Sequence, residues 1–146
     1  MNRTVLAVAA IAIGVTAVAA QSDPIAARKA LMKNVGAVTK TGGQMAKGEI
    51  PYDQTKAQEV FTTYVDAAAK MPGLFPDNSK TGGDTAAKPE IWENIEDFKA
   101  RLVKLGTDSK AALDSVTDLD TFKAAFGNIG KNDCAGCHEK YRVKKS

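Results

Sequence analysis

The chain is poor in the residues that carry out metal and nucleophile chemistry: its 146 residues include one histidine and two cysteines. Two cysteines are too few for a disulfide-rich scaffold. A formal net charge of +3 is too small to indicate a nucleic-acid partner, and none is expected. Aromatic residues make up only 6%, but 44% hydrophobic and 25% charged residues exclude a disordered chain. No stretch alternates apolar and polar residues with β-branched enrichment, so no sheet is expected.

One long apolar run is present, at the N-terminus over residues 5–18. Arg3 precedes it, small residues occupy positions 18–20, and the sequence then turns polar. This pattern predicts a cleaved secretory signal peptide over residues 1–20, followed by one domain over residues 21–146. The alternative is a membrane anchor, but the run is shorter than the roughly 20 residues that a span requires. We therefore expect a periplasmic protein with no membrane span after processing.

The rest of the chain has the spacing of four amphipathic helices. Asp23 before Pro24 predicts the start of the first helix, Asp53 can cap the second, Pro89 opens the third, and Asp118 begins the last. The apolar positions expected to face inward are Leu31, Val35, Val38 and Met45 in the first helix; Val60, Phe61, Tyr64, Val65, Ala68 and Met71 in the second; Ile91, Ile95, Phe98, Leu102 and Leu105 in the third; and Leu119, Phe122, Phe126 and Ile129 in the fourth.

The connections between these helices set the topology. Residues 72–89 are rich in proline and glycine and predict a long loop, which in a small domain is usually functional or disordered. The other connections are short. The fold class is therefore predicted as all-α, an antiparallel up-down-up-down four-helix bundle. Within it, Gly42 and Gly43 are expected to weaken the end of the first helix, and Gly106 to fray or bend the third.

Both cysteines and the histidine stand together near the C-terminus, in the segment Cys134-Ala135-Gly136-Cys137-His138. C-x-x-C-H is the attachment signature of haem c. Two thiols at this spacing can add to the two vinyl groups of one haem, and the next residue can direct its imidazole to the iron. Small residues between the cysteines allow the haem to approach the backbone. One covalent haem c, held through Cys134 and Cys137, is the predicted cofactor.

Three other readings of the segment compete with haem attachment. A thioredoxin-like dithiol requires a strand before the motif and a βαβ context, and neither is expected here. A zinc site requires three or four protein ligands, but no second Cys/His cluster exists in the sequence. A structural disulfide leaves His138 without a role.

At this point the chain resembles the class II c-type cytochromes, the cytochrome c' family. The resemblance rests on the leader, four amphipathic helices, the C-terminal position of CxxCH, and local matches at residues 28–32 (RKALM), 74–76 (LFP) and 89–92 (PEIW). It implies a four-helix bundle with the haem lying against the first helix. In a low-spin branch a methionine on that helix ligates the iron. In high-spin members the iron is five-coordinate, and some of these also carry an unligated methionine there.

The second axial ligand therefore decides the function. His138 is expected to take one axial position. Because no second histidine exists in the sequence, a methionine is the strongest candidate for the other. The resemblance places Met32 over the haem; its alternative role is a core side chain that fills a gap. Met45 and Met71 are weaker candidates because they stand near helix ends. Met/His ligation suits electron transfer, whereas an open distal site suits a small gas such as nitric oxide.

The remaining predictions concern charged residues. The resemblance implies that Arg28 approaches a haem propionate; otherwise it is a solvated charge. Lys29 is expected to face solvent, and Asp84 and Thr85 to border the haem edge. The basic C-terminus is read either as a docking site for acidic redox partner proteins or as a solvated tail; its cations are Lys140, Arg142, Lys144 and Lys145.

The function expected from the sequence is periplasmic haem c electron transfer with His138 and Met32 as axial ligands, without enzymatic turnover. The alternative is a high-spin cytochrome c' that binds small gases. The family that the chain resembles includes both monomers and homodimers, and the dimers are built on the first two helices.

Overall fold

The computed structural model describes residues 23–144, which fold as an antiparallel up-down-up-down four-helix bundle. The predicted signal peptide lies outside the described residues. Among the described residues, no helix is long and apolar enough to cross a membrane. The helices are α1 (Pro24–Lys47), α2 (Gln54–Lys70), α3 (Glu90–Glu93), α4 (Ile95–Ser115), α5 (Leu119–Ile129) and α6 (Gly136–Tyr141), with 3-10 turns at Met71–Leu74 and Asp77–Ser79 and a π-helical turn at Gly130–Ala135.

Three aspartates start the helices as the sequence predicts. The Asp23 carboxylate accepts from the backbone N–H of Ile25 at 2.9 Å, and Asp53 accepts from the N–H of Lys56 at 2.9 Å. Asp118 accepts from the N–H of Thr121 at 2.8 Å, and the Thr121 hydroxyl oxygen accepts in return from the Asp118 N–H. Each carboxylate satisfies a backbone donor that the helix cannot, so the predicted starts are confirmed.

The expected weakening at the glycines is wrong. α1 and α4 run through Gly42 and Gly106 without interruption. A Cβ at Gly42 would lie 2.7 Å from the Phe126 ring, and one at Gly106 would lie 3.3 Å from the Ala68 Cβ. The missing side chains therefore let neighbouring helices approach closely, and packing outweighs the lower helix propensity of glycine.

The predicted third helix is broken near its start. α3 is a single turn, and α4 begins after Asn94, whose backbone lies at φ −126° and ψ 44°. The backbone N–H and the side-chain amide of Asn94 both donate to the Glu90 carbonyl, at 3.0 Å and 3.2 Å. This local side-chain bond competes with continuation of the helix. The predicted seam still holds across the break, because Ile91, Phe98 and Leu102 are all buried.

The apolar interior divides into two clusters. The closed cluster consists of Met45, Ala57, Val60, Phe61, Tyr64, Ala112, Val116, Phe122 and Ile129, and its members are at most 4% exposed. The open cluster has a smaller buried set, Met71, Ile91, Phe98, Leu102 and Tyr141, surrounded by the half-buried apolar residues Leu31, Met32, Phe75, Ala87, Trp92, Ile95 and Cys137. Half-buried apolar residues, among them Phe126 and Cys134, also pack against the closed cluster, so the two clusters differ in the size of the fully buried set and in which residues stand at the edge.

Candidate functional site

The CxxCH segment lies across a change in helix type. Cys134 is part of the π-helical turn Gly130–Ala135, and Cys137 and His138 lie in α6. A π turn shifts the register of the side chains that follow it and is frequent at functional sites. The turn ends two residues before Cys137, so it sets the relative directions of the two thiols.

The two thiols face different parts of the interior. Both are free and half-buried; Cys134 packs against the closed cluster and Cys137 against the open cluster. Burial, together with the charge of Asp133, raises the pKa of the Cys134 thiol to about 11. Burial also raises the pKa of Cys137. Thiols of redox dithiols have a lowered pKa, so this environment favours haem attachment over the dithiol reading.

His138 stays accessible to solvent on α6. The part of its ring that is covered, together with the nearby positive charge of Arg142, lowers the pKa of the imidazole. Both effects favour the neutral imidazole, which is the form that ligates a metal. The zinc reading gains no support, because within residues 23–144 no three His, Cys, Asp or Glu side chains group closely enough to hold a metal ion.

Met32 and Cys137 pack into the same cluster, although they are far apart in the sequence. Both belong to the half-buried rim of the open cluster, with Phe75 and Trp92 beside them. Met71 is buried in this cluster too, at 4% exposed. Met45 is fully buried in the closed cluster and is a packing residue. The open cluster thus combines apolar side chains with a thioether and a thiol. This combination suits the haem that the CxxCH segment implies.

Arg28 is buried at 5% exposed, so the reading of it as a solvated charge is wrong. Its guanidinium donates to the Leu74 carbonyl at 3.0 Å, to the Ser79 hydroxyl at 2.9 Å, to the Ser79 carbonyl at 2.9 Å and to the Thr85 hydroxyl at 2.6 Å. It also lies 4.7 Å from the centre of the Phe75 ring. Arg28 therefore clamps the loop that follows α2 onto α1.

These four bonds come from the two terminal nitrogens of Arg28, which leaves the Nε–H as the remaining donor. The contact with a propionate stays a prediction. Ser79 was not anticipated as a functional residue, because nothing in a loop sequence marks a carbonyl or hydroxyl that will meet an arginine 51 residues away.

The other charged candidates take their places around this loop. Lys29 is exposed, as expected, and its ammonium lies 3.3 Å from the Asp84 carboxylate. Asp84 is itself exposed and has a positive φ of 52°. Thr85 joins the Arg28 clamp. That Asp84 and Thr85 border the haem edge stays a prediction.

The backbone of the C-terminal segment is attached to the loop over its described part, whereas the side chains of Arg142 and Lys144 are exposed. Docking by the basic C-terminus stays a prediction. Ala87 and Arg142 form an isolated antiparallel bridge. The Lys88 N–H donates to the Tyr141 carbonyl at 3.0 Å, and the Val143 N–H donates to the Ala86 carbonyl at 2.9 Å. The loop that Arg28 holds on α1 is thus also joined to the end of the helix that carries His138.

Comparison with known proteins agrees with this geometry. Residues 23–142 match the family model described as Cytochrome C'. The chain is 43% identical over 127 residues to a cytochrome c' of Rhodopseudomonas palustris, covering 87% of this chain and 86% of the relative. It is 41% identical over 122 residues to a cytochrome c-556 of Agrobacterium tumefaciens, covering 82% and 94%.

A solved structure of cytochrome c' from Rhodopseudomonas palustris superposes with a TM-score of 0.82 at 42% identity, covering 86% of this chain and all of that one. The match therefore extends through the bundle, the loop and the CxxCH segment alike. The chain belongs to the cytochrome c' family, and it is a cytochrome with one covalent haem c.

Proposed function

We propose that the protein is a periplasmic low-spin electron carrier in which His138 and Met32 are the axial ligands. The observation that carries this proposal is the packing of Met32 and Cys137 in one open cluster. Met32 on α1 and Cys137, which lies on the helix that bears His138, thus pack against the same buried residues.

Each residue has one task in this proposal. Cys134 and Cys137 hold the haem through thioether bonds, and His138 supplies a neutral imidazole nitrogen. Met32 supplies a thioether sulfur, and Met/His ligation raises the reduction potential relative to weaker donors. When bound, the haem supplies the one-electron iron chemistry. The protein is then a carrier and not an enzyme.

Aromatic rings form an apolar wall in the open cluster. Phe75 packs edge-to-face against Trp92, with 5.6 Å between ring centres, and against Phe98 at 4.7 Å. The Trp92 indole N–H donates to the Phe75 carbonyl at 2.9 Å, so its one polar group is satisfied. Such an apolar wall would limit solvent at a bound haem and thereby help to tune its potential.

Spectra of the purified ferric protein test the ligand set. We expect a low-spin optical and EPR spectrum in the native protein and a high-spin spectrum in Met32→Leu, which removes the sulfur and keeps an apolar side chain of similar volume. Met71→Leu is the matched control, because Met71 lies in the same cluster. Retention of the low-spin spectrum in Met32→Leu, or its loss in Met71→Leu instead, would contradict the assignment of Met32.

A second candidate function is gas binding at an open distal position. Its support is that Met32 packs among apolar side chains as an ordinary gap-filling methionine would. A high-spin native spectrum with ready nitric oxide binding is the result that would establish this function and remove the electron-carrier proposal.

Export and partner binding complete the proposal. The mass of the protein purified from the periplasm tests cleavage after Ala20 and addition of one haem together. Acidic redox proteins are the proposed partners. Because Lys140 is already bound to Asp97 at 2.9 Å, Arg142 and Lys144 are the described cations of the C-terminus best placed to steer them.

A further inference from the structure

One carboxylate on α4 receives three donors beside the motif helix. Asp97 Oδ2 accepts from Arg101 Nε at 2.9 Å, from Lys140 Nζ at 2.9 Å and from the Tyr141 hydroxyl. Lys140 and Tyr141 are the last two residues of α6, the helix that carries Cys137 and His138. Asp97 therefore joins α4 to the end of the helix that bears the haem motif.

The connection is firmest at Tyr141. Its side chain is 3% exposed, and its ring meets the Phe98 ring edge-to-face with 5.4 Å between centres. The hydroxyl at the end of this buried ring donates to an ionised carboxylate, which makes a stronger bond than one between neutral groups. The three donors hold the pKa of Asp97 well below its usual range, so the acceptor stays charged.

Tyr141 lies close to His138 on α6, so its bond to Asp97 can affect the histidine. Tyr141 stands three residues after His138, nearly one helical turn, so the two side chains share one side of the helix. α6 is six residues long and follows directly on the π turn. It is the last segment of one continuous helical stretch that begins at Leu119 and includes the π turn. The end of this stretch is held by tertiary contacts, and the Tyr141–Asp97 bond is one of the polar contacts that fix the rotation of α6 there.

We propose that Asp97 is a positioning residue for the proximal ligand: it acts through Tyr141 to fix the rotation of α6, and with it the plane of the His138 imidazole over the haem. The proposal rests on the proposed ligation by His138. Groups outside the ligand sphere that orient a metal-binding histidine commonly control the properties of the metal.

A charge effect must be separated from this positioning effect. Glu96 is the matched control, because it is adjacent to Asp97 on the same turn of α4 and pairs with Lys99 at 3.4 Å, away from α6. Glu96→Ala and Asp97→Ala each remove one negative charge at nearly the same place. Tyr141→Phe changes no charge and keeps the ring against Phe98, so it isolates the hydroxyl bond.

The test uses the ferric haem-loaded protein and its three variants. The readouts are the pattern of paramagnetically shifted haem methyl proton resonances, which follows the orientation of the axial imidazole, and the midpoint potential. We expect Asp97→Ala and Tyr141→Phe to rearrange the methyl pattern and to shift the potential. Glu96→Ala should leave the pattern of the native protein and shift the potential only as a surface charge does.

Native-like methyl patterns in both Asp97→Ala and Tyr141→Phe would overturn the positioning role while leaving the proposed function intact. An Asp97→Ala protein that fails to fold leaves Tyr141→Phe to decide in the same way. A native spectrum without histidine ligation would instead overturn the proposed function, and the positioning role with it.

Discussion

The two apolar clusters of this bundle differ in the size of their buried sets and in the residues at their edges. In the closed cluster, aromatic rings complete one another: Phe122 lies 5.7 Å from Phe61 and 5.2 Å from Phe126, and Phe61 and Phe122 are fully buried. The open cluster has a smaller fully buried set, and Met32, Trp92 and Cys137 stand at its half-buried edge. The difference that bears on haem binding is therefore which residues stand at the edge of each cluster.

The polar contacts differ in the same way. Arg28, buried beside the open cluster, makes four hydrogen bonds to the loop after α2. At the closed cluster, the hydroxyls of Tyr64 and Thr39 are 2.7 Å apart, and the Gln54 side-chain amide donates to the Val116 carbonyl at 2.8 Å. The comparison teaches that the contacts of the closed cluster are between neutral groups, whereas a buried guanidinium holds the loop at the edge of the open cluster.

The largest expected effect breaks the closed cluster. Phe122→Ala removes a fully buried ring and should lower the free energy of unfolding by about 3–5 kcal/mol. Phe75→Ala, on the half-buried rim of the open cluster, should cost less stability but alter the haem spectrum. Denaturant titration and optical spectroscopy of both variants measure the contrast. An equal loss of stability, with no spectral change in either variant, would remove the distinction between the clusters.

The next effect is a pH dependence of the closed cluster. Burial raises the pKa of Tyr64 to about 12, above the usual tyrosine value of about 10. The folded state therefore favours the neutral phenol, and this contribution is present below pH 10 and lost as the pH rises through about 12. The loss amounts to about 2–3 kcal/mol at the alkaline limit.

The variant Tyr64→Phe should lack this alkaline loss of stability. Thr39→Val is the control, because it removes the hydroxyl partner and keeps the titrating phenol. Denaturation midpoints measured from pH 8 to above 12 decide the matter. If Tyr64→Phe and the native protein lose stability in parallel, the alkaline transition belongs to another group.

The smallest expected effect is at the edge of the open cluster. Arg28→Gln leaves carbonyls of the loop without their charged donor and should cost about 2 kcal/mol. It should also increase proteolytic cleavage within residues 72–89, because the clamp on that loop is lost. Lys29→Gln, one residue further along, should change stability by less than about 0.5 kcal/mol, since Lys29 is exposed. Equal effects of the two substitutions would mean that Arg28 does not hold the loop.

Features that depend on neighbours in the chain could be predicted. Asp23, Asp53 and Asp118 mark their helix starts, because a cap is a bond across two or three residues. The break at Asn94 also has a local cause, the side-chain bond to Glu90. The apolar spacing continues across the break, however, and so predicts one continuous helix. The prediction that Gly42 and Gly106 weaken their helices is wrong, because the role of each glycine depends on which helix packs against it.

The CxxCH spacing alone predicts the cofactor and the attachment residues, because covalent haem attachment needs two thiols and an imidazole at short range. The family resemblance also needs the order of the helices, the C-terminal position of the motif and the local matches. Three relationships exist only after folding: Met32 and Cys137 pack against one cluster, Arg28 bonds to the loop, and Asp97 bonds to Tyr141. Each of them joins residues more than 40 positions apart in the sequence. The Arg28 contact also involves a backbone carbonyl, which every residue type presents. Such contacts depend on how the helices pack, and periodicity predicts which face is buried but not what it meets.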